Sequence, residues 1–158
     1  MPDIDAIDLA LIELLQEDAR ASQATLAKRV GLAPSSVNER IRKLADSGIV
    51  TGYQARVSPE AMGYDLLAFI YVGWNEPATE PAFLATIANE PSITEAHHVT
   101  GSWNYMLKVR VRNTRMLERL LARVIKSVAG VERTETIIVL SSAKETSVVP
   151  TRDPDWSK

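Results

Sequence analysis

From Asp5 to Asp18 the apolar residues Ile7, Ala10, Leu11, Leu14 and Leu15 recur at helical spacing, and the early aspartates suit the positive end of a helix dipole. This predicts an amphipathic first helix. Ser22 reads as the N-cap of a short second helix with Leu26, Ala27 and Val30 inward, and Gly31 reads as its stop. Pro34 fits only the first turn of a third helix, in which Val37, Ile41 and Leu44 repeat at i, i+4, i+7 before Gly48 closes it. Three short helices with a glycine-containing turn between the second and third describe a helix-turn-helix.

The pattern changes after Gly48. Residues 49–57 are β-branched and aromatic around Gly52, and Ser58-Pro59 ends the run, which predicts a strand or small wing followed by a linker. Beyond it the chain alternates: strand 66–74, helix 81–89, strand 93–100, strand 103–111, a helix marked by Leu117, Leu120, Leu121, Val124, Ile125 and Val128, then strand 131–142. The order β-α-β-β-α-β is the split-βαβ or ferredoxin-like topology, with both helices on one face of an antiparallel sheet. The fold class is therefore α+β: a winged helix-turn-helix over residues 1–50, a strand or linker over 51–64, and a ferredoxin-like module over 65–158. Both faces of 66–74 and 137–140 are apolar, yet the two helices can cover only one side of the sheet. A second copy of the sheet is the simplest cover, which predicts a homodimer.

Composition narrows the class. At 158 residues, 46% hydrophobic and 24% charged, the chain has enough apolar material for a packed core and shows no bias toward disorder. Its longest apolar run, nine residues at 66–74, is far short of the roughly 20 that cross a bilayer, and the first 19 residues hold no Lys or Arg. No membrane span or secretory leader is expected. Zero cysteines exclude disulfides and thiolate chemistry and fit a reducing cytoplasm.

The formal net charge of −2 conceals an uneven distribution. Residues 1–19 carry six acids and no base, whereas residues 20–56 carry seven bases (Arg20, Lys28, Arg29, Arg40, Arg42, Lys43, Arg56) against two acids (Glu39, Asp46). The basic segment coincides with the helix-turn-helix, as expected if one part of the chain meets DNA. With Val37, Ile41 and Leu44 inward, the opposite face of the third helix carries Ser35, Ser36, Asn38, Glu39, Arg42 and Lys43. Arg and Lys reach phosphates or guanine, Asn pairs with adenine, and Ser bonds either base edges or phosphate. Glu39 either accepts from a cytosine amino group or pairs with Lys43 at i+4; a purely solvated face is the bland alternative.

Catalytic signals are absent. His97 and His98 are adjacent on a strand, so they point to opposite faces and cannot chelate one metal from one side. No phosphate loop, nucleophile elbow or HExxH motif occurs. Arg115, Arg119 and Arg123 form a basic row on the long helix, read as a solvated face, a subunit contact or an auxiliary DNA contact.

The stretches "DAIDLALIELLQEDARAS…LAKRVGLAPSSVNERIRKLADSGIVTGYQA", "MGYDLLAF", "VTGSWNYMLKV" and "AGVERTETIIVL", with Pro150 near the end, resemble the Lrp/AsnC (feast/famine) family of transcriptional regulators almost end to end. The resemblance implies a DNA-binding winged helix-turn-helix and a ligand-sensing ferredoxin-like module. It also implies homodimers assembling to tetramers or octamers around a small effector, commonly an amino acid. The family's effector-response positions fall here on His98, Gly101, Asn104, Thr114, Ile137, Ile138 and Val139. Two depart from the pattern: Asn104 stands where the family usually has Asp, and His98 where an apolar residue is common. The expected function is a sequence-specific DNA-binding regulator that responds to a small molecule, with no catalytic residue, metal or cofactor, no membrane partner, and a cytoplasmic location. Two alternatives are an enzyme resembling sirohaem decarboxylases and a metabolite-binding module without DNA binding.

Overall fold

The computed structural model describes residues 4–152, which form two compact units: residues 4–56 with 145–152, and residues 57–144. The helical unit contains α1 (Ala6–Glu17), α2 (Gln23–Val30) and α3 (Pro34–Asp46). α1 starts at a reciprocal capping box. The Asp5 carboxylate accepts from the Ile7 and Asp8 amides, and the Asp5 amide donates to the Asp8 carboxylate at 3.2 Å. Ser22 caps α2 by accepting from the Thr25 amide at 3.1 Å, and Gly31 ends it in a left-handed conformation. The three helices share one core: Leu11 of α1, Leu26 and Ala27 of α2 and Val37 of α3 are buried together, with Ile7, Leu14, Leu15 and Ile41 packed around them.

The expected strand over residues 49–57 is not formed. A strand exists only against a partner, and the main-chain bonds made here run instead from the Ile49 and Val50 amides back to the Leu44 carbonyl at the end of α3. Residues 145–152 differ too, packing with the helical unit rather than the sheet. The Gln16 side chain holds the Val149 main chain by two bonds: Nε2 donates to the carbonyl at 3.0 Å, and the Val149 amide donates to Oε1 at 2.7 Å. Thr151 Oγ1 adds a bond to Glu13 at 2.7 Å.

The second unit contains β1 (Leu66–Gly73), α4 (Thr79–Ile87), β2 (Ile93–His98), β3 (Tyr105–Val111), α5 (Thr114–Leu120) and β4 (Arg133–Ile138). Its antiparallel sheet has the order β2-β3-β1-β4, the ferredoxin-like arrangement. Alternation decides the faces. Ala68, Ile70 and Val72 of β1 and Tyr105, Leu107, Val109 and Val111 of β3 are buried with Phe83 and Ile87 of α4 and Leu117, Leu120, Ile125 and Val128 beyond them. The other face carries Leu67, Phe69 and Tyr71 of β1 beside Met106, Lys108 and Arg110 of β3.

Several ends differ by a few residues from those expected, with α4 at Thr79–Ile87 against 81–89, β2 ending at His98 and β3 starting at Tyr105. The long helix starts at Thr114, because Asn113 accepts the Met116 amide at 3.0 Å, and it widens at Leu121–Ile125 into a π-helical turn closed by the Lys126 amide on the Leu121 carbonyl at 2.8 Å. The final strand ends at Ile138 instead of Ser142. β1 starts at Leu66, so one further bond, Val139 amide to Leu67 carbonyl at 2.9 Å, exhausts the partner.

Candidate nucleic-acid interface and effector site

On α3, Val37 and Leu44 are buried and Ile41 is half-buried, which leaves Ser35, Ser36, Asn38, Glu39, Arg42 and Lys43 all exposed on the outer side. The six residues therefore share one accessible surface. Its charge is smaller than the sequence suggests. Arg40 turns back toward α1, its guanidinium 2.8 Å from both Asp5 and Asp8, and so ties α3 to the start of α1. Lys43 pairs with Glu39 at 2.9 Å, the i+4 contact that their spacing offers. Among the described residues Arg42 makes no ion pair, so it is the base on this face with an uncommitted charge.

α3 also lacks what α1 and α2 have. Its N-cap is Ala33, which offers no side-chain acceptor, so the first amides of the helix, at Ser35 and Ser36, stay open toward solvent. Open amides at a helix start, with the positive end of the dipole, favour an anion such as phosphate. An unfavourable N-cap residue before Pro34 is the sequence signal that finds this feature.

The Arg40 link has a pH consequence. The Asp8 amide that donates to Asp5, with the Arg40 guanidinium, holds the Asp5 carboxyl below its ordinary 3.8, and partial desolvation opposes them. A carboxylate whose folded pKa is depressed contributes stability above the unfolded value and loses it as pH falls through the folded one. The α1–α3 tie should thus be constant from pH 5 to 8 and weaken only below 3.8. Arg40→Met should flatten this acid limb in thermal melts of the helical unit. An identical acid limb in both proteins would refute the link.

In the second unit the seven effector positions do not gather in one place. His98, Gly101 and Asn104 surround the β2–β3 turn, which the Val99 amide closes on the Asn104 carbonyl at 3.0 Å. Thr114 follows the far end of β3, and Ile137 and Ile138 are on β4, with Val139 directly after it, at the opposite edge of the sheet from β2. Three strand spacings separate the two edges, about 14 Å, more than a free amino acid spans. Within one protomer the expected positions therefore fall into two separate groups.

Each group has a definite structure. The His98 ring stacks on Tyr105 with centroids 5.1 Å apart and planes at 12°, and Tyr105 in turn stacks on Trp74 and donates from its hydroxyl to Glu80 at 2.6 Å. His97 points to the other face and meets Glu95 at 3.2 Å. Gly101 has φ 105°, a conformation that L side chains rarely adopt, with open space where a Cβ would be. Asn104 is committed to structure: its Oδ1 accepts the Trp74 amide at 2.8 Å at the end of β1. A carboxylate could accept the same bond, so the Asp-to-Asn departure keeps the acceptor and removes a charge. The Nδ2 donors of Asn104 take no part in this bond. Ile137 and Ile138 are half-exposed.

Sequence reasoning missed Arg133. Its guanidinium lies 5.0 Å over the Trp103 ring and donates to the Ser102 carbonyl, so the first residue of β4 holds the β2–β3 turn in place. Gly73 permits this contact, because a Cβ there would stand 3.2 Å from Trp103. Among the described residues no cluster of three His, Asp or Glu can hold a metal, and no helix is long and apolar enough to cross a membrane.

Comparisons with known proteins address both units. A winged helix-turn-helix DNA-binding family model matches residues 4–51, and an Lrp/AsnC ligand binding domain model matches residues 67–149. The chain is 39% identical over 147 residues to the HTH-type transcriptional regulator FL11 of Pyrococcus horikoshii, covering 93% of this chain and 96% of that protein. Among solved structures it is similar to a Neisseria meningitidis transcriptional regulator in complex with L-Met (TM-score 0.90, 29% identity, 94% of this chain and 97% of that one). It is likewise similar to a feast or famine regulatory protein of M. tuberculosis complexed with L-methionine (TM-score 0.86, 36% identity, 93% and 99%).

Proposed function

We infer the function from one premise: this chain belongs to the Lrp/AsnC family of transcriptional regulators, and is a DNA-binding regulator with a ligand-binding domain. The observation that carries the specific reading is the outer face of α3. Ser35, Ser36, Asn38 and Arg42 are exposed there, the helix start is open, and Arg42 has no internal partner. α3 enters the major groove, the Ser35 and Ser36 amides meet a phosphate, and Asn38 and Arg42 read base edges. Lys43 contributes charge that Glu39 partly offsets.

The functional unit is a homodimer in which two copies of the apolar outer sheet face, Leu67, Phe69, Tyr71 and Ile137, cover one another. Two-fold symmetry then sets two α3 helices about 34 Å apart on a pseudo-palindromic site. The effector is an amino acid or related metabolite, as the L-methionine complexes of the relatives suggest. It binds where the half-site of one protomer, His98, Gly101 and Asn104, meets Thr114 and Ile137–Val139 of another, and this requirement favours assembly of dimers into tetramers or octamers. The protein acts by binding, without catalysis, on chromosomal DNA in the cytoplasm.

Fluorescence anisotropy with DNA from upstream of its own gene and with a scrambled duplex, each at low and near-physiological salt, tests this reading. A preference for the native duplex that survives the higher salt is expected. Equal, salt-sensitive binding to both would overturn it for that DNA. Arg42→Ala should cost about 1–3 kcal/mol on the preferred duplex if the guanidinium reads a base, or lower the salt slope by about one if it holds a phosphate. No change in either removes Arg42 from the interface.

A further inference from the structure

The exposed side chain of Asn38 on α3 does not stand alone. Gln23, the first residue of α2 and equally exposed, donates from Nε2 to the Asn38 Oδ1 at 2.9 Å. Ser22 fixes the start of α2 by capping the Thr25 amide, so the Gln23 stem leaves from a defined position. The partner of Asn38 thus comes from a neighbouring helix whose start has its own anchor.

This bond changes what Asn38 can read. A free carboxamide pairs with adenine by accepting from N6 through its oxygen and donating to N7 through its nitrogen. Here Gln23 already takes one lone pair of that oxygen, so accepting from adenine N6 means sharing the oxygen or breaking the bond, whereas the Nδ2 hydrogens take no part in it. What the pair offers a groove without breaking that bond is the Asn38 Nδ2 donors. Donors alone match base edges built from acceptors, above all guanine with O6 and N7.

We propose that Gln23 and Asn38 act as one reading unit, in which Gln23 is a positioning residue that turns Asn38 from an adenine reader into a donor to guanine. The proposal rests on α3 being the DNA-reading helix, and it adds a specificity determinant on α2. The Gln23–Asn38 hydrogen bond across the helix-turn-helix is the juxtaposition that carries it.

The test is selection of binding sites from a random duplex pool by the full-length wild type, Gln23→Ala and Asn38→Ala, with thermal melts of each. The wild type should enrich a motif with guanine at one position per half-site. Asn38→Ala should lose preference at that position alone, and Gln23→Ala should shift the same position toward adenine by about tenfold, consistent with one bidentate contact. Both variants should melt with the wild type, since both side chains are exposed. A Gln23→Ala motif identical to wild type overturns the proposal, as does a uniform affinity loss with an unchanged motif, which would make Gln23 a phosphate contact. Loss of preference in Asn38→Ala at a position that Gln23→Ala leaves untouched overturns it as well. If the wild type enriches no motif at all, α3 is not a base reader; that failure lies in the regulator reading and is distinct from the others.

Discussion

Leu11→Ala is expected to destabilise the helical unit by about 2–5 kcal/mol and to abolish specific DNA binding at moderate protein concentration. Leu11 is fully buried, and it packs against Leu26 and Ala27 of α2 and Val37 of α3, so one side chain joins all three helices. The cost combines lost apolar burial with a cavity that three short helices cannot close without shifting α3. In a unit of this size the loss is comparable to its entire stability. The second unit has its own core, so it should stay folded. Calorimetry should show a depressed or missing low-temperature transition beside a retained second one, and anisotropy should show no preference for the native duplex. A variant that keeps both its helical-unit transition and its DNA preference would show that Leu11 is not the keystone of that core.

Phe83→Ala should cost about 3–5 kcal/mol in the second unit. The ring is completely buried, 5.0 Å from Trp74 and 5.3 Å from Tyr105, and the His98 ring rests on Tyr105 from the other side. Removing it leaves a large apolar void under the aromatic column that supports the β2–β3 turn. Denaturant unfolding followed by tryptophan fluorescence should show a lower midpoint, since Trp74 lies in the column. Loosening of the His98 platform should also weaken effector binding beyond what the unfolded fraction explains. Phe83→Leu, which refills most of the void, should recover much of the stability. If Phe83→Ala unfolds at the wild-type midpoint, the column does not organise this core.

The elements that were legible in the chain share one property: a local pattern that burial enforces. Val37, Ile41 and Leu44 placed α3, and with it the exposure of Ser35, Ser36, Asn38, Glu39, Arg42 and Lys43. The alternation along β3 fixed its inner face, and the β-α-β-β-α-β order implied the strand arrangement that is found. Elements that depend on a distant partner were misread. Residues 49–57 have strand composition but no strand to join, and residues 141 and 142 extend past the end of β1. Composition states a preference, whereas a ladder needs two chains in register.

The candidate sites divide along the same line. By itself the sequence determined the two-module α+β plan and the identity of the residues on the outer face of α3, because periods of 3.6 and 2 follow from backbone geometry and from which side must be dry. Only the tertiary structure decided what those residues are free to do. It turned Arg40 inward to Asp5 and Asp8, paired Glu39 with Lys43, left Arg42 uncommitted and placed Gln23 on Asn38. It also committed the Asn104 oxygen to the Trp74 amide and set His98 and Ile137 on opposite edges of one sheet. The reason is that a hydrogen bond or ion pair forms within about 3 Å, between atoms such as those of Arg40 and Asp5 that the chain separates by 35 residues and only packing brings together.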